Sequence, residues 1–282
     1  MTDRRFGVST HLFHEERLTR EHLVHIAAHD FEAVELFATR SHFDYRDAAA
    51  VAQLGEWLAD TRLELHAIHA PVCEAISGGV WKGAFSNAAA AEDRRQAAVR
   101  EAQAALAMAE RLPFRYLVTH VGVPDPYARG GDNAPEAARR SVEELHALAE
   151  ARGVKLALEV MPNALSSATA LVTLIEDRLD GLDVGICLDY GHAHLMGGVD
   201  DAVEAVSGHL WTTHIHDNRA TRDDHLVPYA GTINWDAAMM ETQKIGYEGT
   251  LVFEVGADGD PVETLQRMVR ARERLERAFV TF

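Results

Sequence analysis

The sequence predicts an α/β fold, a (β/α)8 TIM barrel formed as one domain over residues 1–282. Three observations predict it. Short apolar or β-branched runs recur eight times, helical stretches separate them, and from the third run onward each ends in His, Asp or Glu. Strands alternating with helices make a parallel sheet, and a single barrel of about 250 residues fits the chain length.

The elements follow in order. "FGVSTHLF" from Phe6 reads as the first strand, and "TREHLVHIAAHD" as a helix with apolar residues at helical spacing. "AVELFA" from Ala33 and "LELHAIHAP" from Leu63 are the second and third strands. "CEAISGGVWKGAFSN" then reads as a loop, with Gly78, Gly79 and Gly83 free to fold it over a site. The Ala-rich "NAAAAEDRRQAAVREAQAALAMAERL" is a helix with acid–base pairs three and four apart. "YLVTHVG" from Tyr116 is the fourth strand. "APEAARRSVEELHALAEARG" is a helix with Pro135 near its first turn and Gly153 at its end. "KLALEVMPN" from Lys155, "VGICLDYGHAH" from Val184, "LWTTHIHDN" from Leu210 and "TLVFEVG" from Thr250 complete the strands. "PVETLQRMVRARERLERAF" is the closing helix. The sequence contains no finer repeat, linker or low-complexity tract.

Composition narrows the class. Hydrophobic residues make up 47% of the chain, enough for a full core. No apolar run reaches the roughly 18 residues a membrane span needs, and the N-terminus lacks a signal-peptide pattern. Two cysteines, Cys73 and Cys187, fit a reducing, cytoplasmic setting rather than a disulfide framework. A net charge of −17 argues against a nucleic-acid partner. The expected partner is a small molecule, and assembly as a homo-oligomer is left open.

In a β/α barrel all C-terminal strand ends face one mouth, so distant residues converge there. The ends here carry His66 and His69, His120, Glu159, Asp189 and His192, His214 and His216, and Glu254. A single histidine near a strand end is ordinarily a hydrogen-bonded rim residue. Glu159 and Glu254 are harder to dismiss, because each sits inside an apolar run and a buried carboxylate without a partner is costly. Imidazoles and carboxylates at one mouth form a ligand set for Zn, Mn, Co or Mg.

The order of motifs resembles the xylose-isomerase-like barrel superfamily, which includes endonuclease IV, ketose 3-epimerases and hydroxypyruvate isomerase. "HAP" at His69, "VTHVG" at His120, "ALEVMPN" at Glu159 and "CLDYGHAH" at Asp189 and His192 carry the likeness. "HIHDN" at His214, "DDHLVPYAGTINW" at Asp223 and His225, and "VFEV" at Glu254 complete it. The resemblance implies one divalent metal held by Glu159, Asp189, His214 and Glu254, as in the isomerases. The endonuclease IV pattern implies up to three zinc ions, adding His69, His120, His192, Asp223 and His225. "PYAG" at Pro228 departs from endonuclease IV. "VMPNALSS", lacking a second Glu, departs from the ketose epimerases and is more like the sugar phosphate isomerase/epimerase branch.

The expected activity is therefore a divalent-metal-dependent isomerase or epimerase of a sugar or sugar phosphate. Glu159 and Glu254 would move a proton at a carbon next to a carbonyl. The alternative is an endonuclease IV-like multi-zinc phosphodiesterase. Trp81 could stack on a sugar and Lys82 could meet a phosphate; Asn163 and Arg219 are further candidates for substrate contact. The loop "TRSHFDYRD" offers His42, Phe43, Tyr45 and Arg46. Glu35 and His11 could reach the mouth or pair with neighbours, whereas His194 and His216 are expected to support ligands or pack beside them.

Overall fold

Strands whose residues are apolar on both faces cannot remain at a sheet edge, and here they close on one another. The computed structural model describes residues 4–78, 80–179, 181–257 and 259–279. The chain begins with β1 (Phe6–Ser9), α1 (Arg20–Ala28), β2 (Ala33–Phe37), α2 (Ala48–Thr61) and β3 (Glu64–His69). A two-stranded excursion follows, β4 (Cys73–Ser77) and β5 (Val80–Ala84), then α3 (Glu92–Leu106) and β6 (Tyr116–His120). Next come α4 (Pro135–Glu150), β7 (Lys155–Glu159), α5 (Ala168–Arg178), β8 (Val184–Asp189), α6 (Tyr190–Leu195) and α7 (Val199–Ala205). The last elements are β9 (Leu210–Ile215), α8 (Trp235–Lys244), β10 (Leu251–Phe253) and α9 (Pro261–Phe279). Eight strands form a closed barrel in the order β1-β10-β9-β8-β7-β6-β3-β2, every pair parallel. The fold is thus a (β/α)8 barrel.

The register sets the site's depth. His120 pairs with Glu159 across β6 and β7, Glu159 with Cys187 across β7 and β8, and Asp189 with His214 across β8 and β9. Below them Ala67, Tyr116, Val118, Ala157 and Cys187 pack with Trp211 as the barrel floor. Gly185 makes room for this floor, since a Cβ there would stand 2.0 Å from the Trp211 ring.

Three expectations change. The first strand stops at Ser9, and Thr10–Phe13 turn into a 3-10 helix. "CLDYGHAH" is a strand only to Asp189, whose carboxylate then accepts the His192 amide at 2.7 Å and caps α6. The stretch after β3 is an antiparallel hairpin, with Ala75 opposite Lys82 and Ile76 opposite Trp81. Its residue Gly79 lies outside the described residues.

The loop after β9 is also held firmly. Asp217 and Leu226 exchange backbone hydrogen bonds of 2.7 and 2.8 Å. The buried Asp217 carboxylate accepts Trp235 Nε1 at 2.9 Å and the Ile233 amide at 3.2 Å. Asp217→Ala leaves these buried donors unsatisfied and should cost about 2–4 kcal/mol of stability. Urea denaturation checks this; an unchanged midpoint would show that the loop does not depend on the carboxylate.

Candidate metal centre

Three carboxylates and an imidazole meet at the C-terminal ends of four neighbouring barrel strands. Glu159 ends β7, Asp189 ends β8, His214 lies near the end of β9, and Glu254 follows β10 directly. Their donor atoms all lie within 4.8 Å of one another, and all four residues are buried. His214 Nδ1 stands 3.5 Å from Glu159 Oε1, 3.6 Å from Glu254 Oε2 and 3.9 Å from Asp189 Oδ2. Among the described residues it has no hydrogen-bond partner, and neither has Glu159 Oε1. Ligand atoms about 2.0–2.2 Å from a tetrahedral ion lie about 3.3–3.6 Å apart, so the donor set fits a divalent cation.

Glu35 of β2 explains why Nδ1 is the free nitrogen. Its buried Oε2 accepts His214 Nε2–H at 3.0 Å, which leaves the Nδ1 lone pair aimed at the three carboxylates. The sequence left Glu35 open between the mouth and a barrel neighbour; its partner is the site histidine.

A second group surrounds Asp223: His192, His216 and His225 offer donor atoms within 4.8 Å of it and of one another. His192 Nδ1–H donates to Val160 O at 3.0 Å and His225 Nδ1–H to Glu254 O at 2.7 Å. Their Nε2 atoms then face the same Asp223 oxygen, at 3.0 and 3.1 Å. His225 sits at φ 45°, and Ala220 and Tyr229 of the same loop are also left-handed, strain of the kind held at functional sites. His216 does more than pack. Its Nε2 lies 3.0 and 3.1 Å from the two Asp189 oxygens, and its ring stacks on His225 at 4.1 Å. Gly191 is required there, because a Cβ would meet the His216 ring at 2.0 Å.

His69 and His120 complete the mouth. His69 Nδ1–H donates to Ala70 O at 2.9 Å while its Nε2 lies 2.9 Å from Glu159 Oε2. His120 Nε2 is 3.1 Å from the same oxygen. Without a metal, protons must separate these facing acceptors. Burial opposes charge on His69, yet the Glu159 contact outweighs it and lifts the imidazole to about 9; Asp223 does the same for His225, also to about 9. Burial raises Asp223, but His225 and His192 hold it well below the usual carboxylate range. Burial likewise raises Glu159, but His120 and His214 bring it well below that range. Glu254 goes the other way: burial raises it, and the pull of His214 does not cancel that.

Other residues singled out in the sequence have structural partners. His66 lies at the opposite end of β3 from the mouth; three residues of strand span roughly 10 Å. It contacts Thr212 Oγ1 at 3.2 Å, and burial lowers it to about 4. His42 is buried against Glu16 O and Thr10, Phe43 and Tyr45 are buried, and Arg46 pairs with Glu101 at 2.7 Å, so that loop presents no basic aromatic face. Asn163 is buried, and its Oδ1 accepts the Leu165 amide at 2.9 Å within its own loop. Arg219 reaches Asp224 at 3.7 Å, and Arg222 is bonded to the same carboxylate. Lys82 is exposed and follows Trp81 on β5, so it points to the opposite face of the hairpin. His194 bonds Thr232 Oγ1 at 2.9 Å. His11 stacks between His14 at 4.4 Å and His225 at 4.5 Å.

The model of one family, described as xylose isomerase-like TIM barrel, matches residues 23–277. An uncharacterized protein of Methanocaldococcus jannaschii, MJ1311, is 28% identical over 260 residues, covering 89% of this chain and 84% of that protein. The crystal structure of a D-tagatose 3-epimerase-like protein superposes with a TM-score of 0.77 at 24% identity, over 98% of this chain and 97% of the other. That of the IOLI protein with a binding zinc atom gives a TM-score of 0.79 at 17% identity, over 99% and 100%. At these identities the two superpositions are likenesses of fold.

Removing the orienting carboxylate gives a direct check on the four-residue group. Glu35→Ala should weaken Zn²⁺ or Mn²⁺ binding about 10- to 100-fold while the barrel stays folded. Competition against a chelator of known affinity measures it, and an unaltered affinity would mean that Glu35 does not set the His214 tautomer.

Proposed function

The chain belongs to the xylose isomerase-like TIM barrel family, and from that membership and the site's geometry we propose that it is a divalent-metal-dependent sugar isomerase or epimerase. One observation carries the reading: the unpartnered His214 Nδ1 facing Glu159, Asp189 and Glu254 at 3.5–3.9 Å. Structures of proteins whose names describe sugar 3-epimerases share the fold, and one neighbour binds zinc, which adds support. Imidazole with carboxylates accommodates Zn, Mn or Co, and Mg less readily.

When bound, the ion supplies a Lewis acid that draws charge from a carbonyl oxygen and makes the neighbouring C–H easier to deprotonate. The protein's own groups do the rest. Glu159 and Glu254 stand on β7 and just past β10, three places apart around the barrel, so their carboxyls approach the pocket from different sides. Glu159 accepts the proton from carbon and Glu254 returns one on the other face. His69 and His120, both on Glu159 Oε2, hold that carboxylate in place. Expulsion of water by the buried walls strengthens each of these contacts.

The Asp223 group favours a second reading, a multi-metal phosphodiesterase, because proton transfer at carbon has no need of it. The acidic chain, at −17, weighs against a polyanionic substrate. Elemental analysis of protein purified without chelator separates the two: one ion per chain supports the isomerase and two or three the hydrolase. With Mn²⁺ present, the wild-type protein should exchange a C–H proton of at least one ketose or aldose for solvent deuterium. Glu254→Gln should slow that exchange at least about 100-fold. Nicking of duplex DNA at a stable abasic-site analogue, with no exchange in any sugar, would reverse the assignment.

A further inference from the structure

Two loops that leave the neighbouring barrel strands β3 and β6 bring a stack of aromatic rings to the rim of the mouth. Trp81, on β5, packs against Phe37, Val72, Cys73 and Ile76. Its ring runs parallel to the His120 imidazole, 6.1 Å away and 20° apart, and to the Tyr127 ring, 5.1 Å away and 10° apart. Tyr127 comes from the short 3-10 turn Asp125–Tyr127 after β6, so the match in ring planes is made between separate segments. Tyr127 is 50% exposed, one of the four large hydrophobic side chains exposed among the described residues. Exposed apolar surface grouped at the edge of a polar pocket marks a ligand site.

The stack starts at the centre. His120 touches Glu159 Oε2 at 3.1 Å, Trp81 lies one ring beyond His120, and Tyr127 lies one ring beyond Trp81. A monosaccharide seated at the Glu159 group cannot also cover Tyr127, so the surface outruns a single sugar. Charge selects what extends along it. The chain as a whole carries a net charge of −17, which disfavours an anionic extension. Lys82, the cation next to Trp81 on β5, points to the opposite face of the hairpin.

We propose that Trp81 and Tyr127 form a second sugar subsite. The substrate is then an uncharged glycoside or disaccharide. Its reacting ring sits at the Glu159 group and its neighbouring ring, or an aromatic aglycone, lies against the two side chains. This deepens the isomerase reading and rests on it.

Binding is tested without turnover. With Zn²⁺ present, tryptophan fluorescence and saturation-transfer NMR compare cellobiose, maltose and phenyl β-D-glucopyranoside with glucose and glucose 6-phosphate. At least one of the first three should bind about two- to ten-fold more tightly than glucose, with the strongest saturation on the ring remote from the reacting sugar. Trp81→Ala and Tyr127→Ala should each collapse that ratio toward one, and Trp81→Phe should preserve it; circular dichroism verifies that the hairpin variants fold. The subsite is refuted by a ratio that the alanine variants leave intact, by glucose 6-phosphate as the tightest ligand, or by no binding of any sugar. Because these titrations need no chemistry, failed deuterium exchange with a tryptophan-dependent preference would sink the isomerase reading alone. Exchange with a flat preference would sink the subsite alone.

Discussion

The site depends on lone pairs facing lone pairs. His214, His192, His225 and His69 each commit one ring N–H to a fixed acceptor: Glu35 and the carbonyls of Val160, Glu254 and Ala70. His214 and His69 then turn the other nitrogen toward buried carboxylates, and His192 and His225 toward the partly exposed Asp223. Two acceptors in a low-dielectric pocket repel unless a cation lies between them, and only a proton or a metal is small enough. The raised pKa values of His69 and His225 and the lowered ones of Glu159 and Asp223 express that demand for positive charge, while burial keeps His120 low. Divalent ions meet it with fewer particles and fixed geometry, and they must displace those protons, so occupancy falls as pH falls.

The barrel makes such a pocket affordable to build. Glu159, Asp189, His214 and Glu254 come from four different parallel strands or the residue just past one, and the strand register brings Glu159, Asp189 and His214 to matching heights. A floor of small and aromatic residues closes the barrel beneath them and keeps water from screening the charges. The excursion from β3 to α3 and the loop after β9 then wall the mouth. One brings Trp81 against His120, and the other carries Asp223 and His225 on a segment pinned by Asp217.

Much of this was legible in the sequence because strands buried on both faces leave plain apolar runs, and a charged residue at the end of such a run stands out. Glu159, Asp189, His214 and Glu254 carry that signal. Glu35 sits in the middle of its run, and no one-dimensional feature says that the second strand reaches the seventh across the barrel. His216 shares the inward face of "HIHDN" with His214, and only the fold shows that it reaches the Asp189 carboxylate. His66 misleads because three residues along a strand separate the mouth from the other end of the barrel. The hairpin of β4 and β5 reads as a loop because its glycines and mixed polarity mask a pairing that packs on few apolar residues. Asn163 and Arg219 look available in the sequence, and only the fold supplies the Leu165 amide and the Asp224 carboxylate that hold them.

The central claim is that His214 Nδ1 is kept free to join Glu159, Asp189 and Glu254 around one divalent ion. The measurement closest to it is anomalous diffraction from crystals soaked in Mn²⁺ or Zn²⁺. The account predicts an anomalous peak about 2.0–2.2 Å from His214 Nδ1 and from oxygens of the three carboxylates. A fully folded, metal-soaked barrel with His214 Nδ1 bonded to a protein group, and no peak within ligand distance of it, would contradict the account.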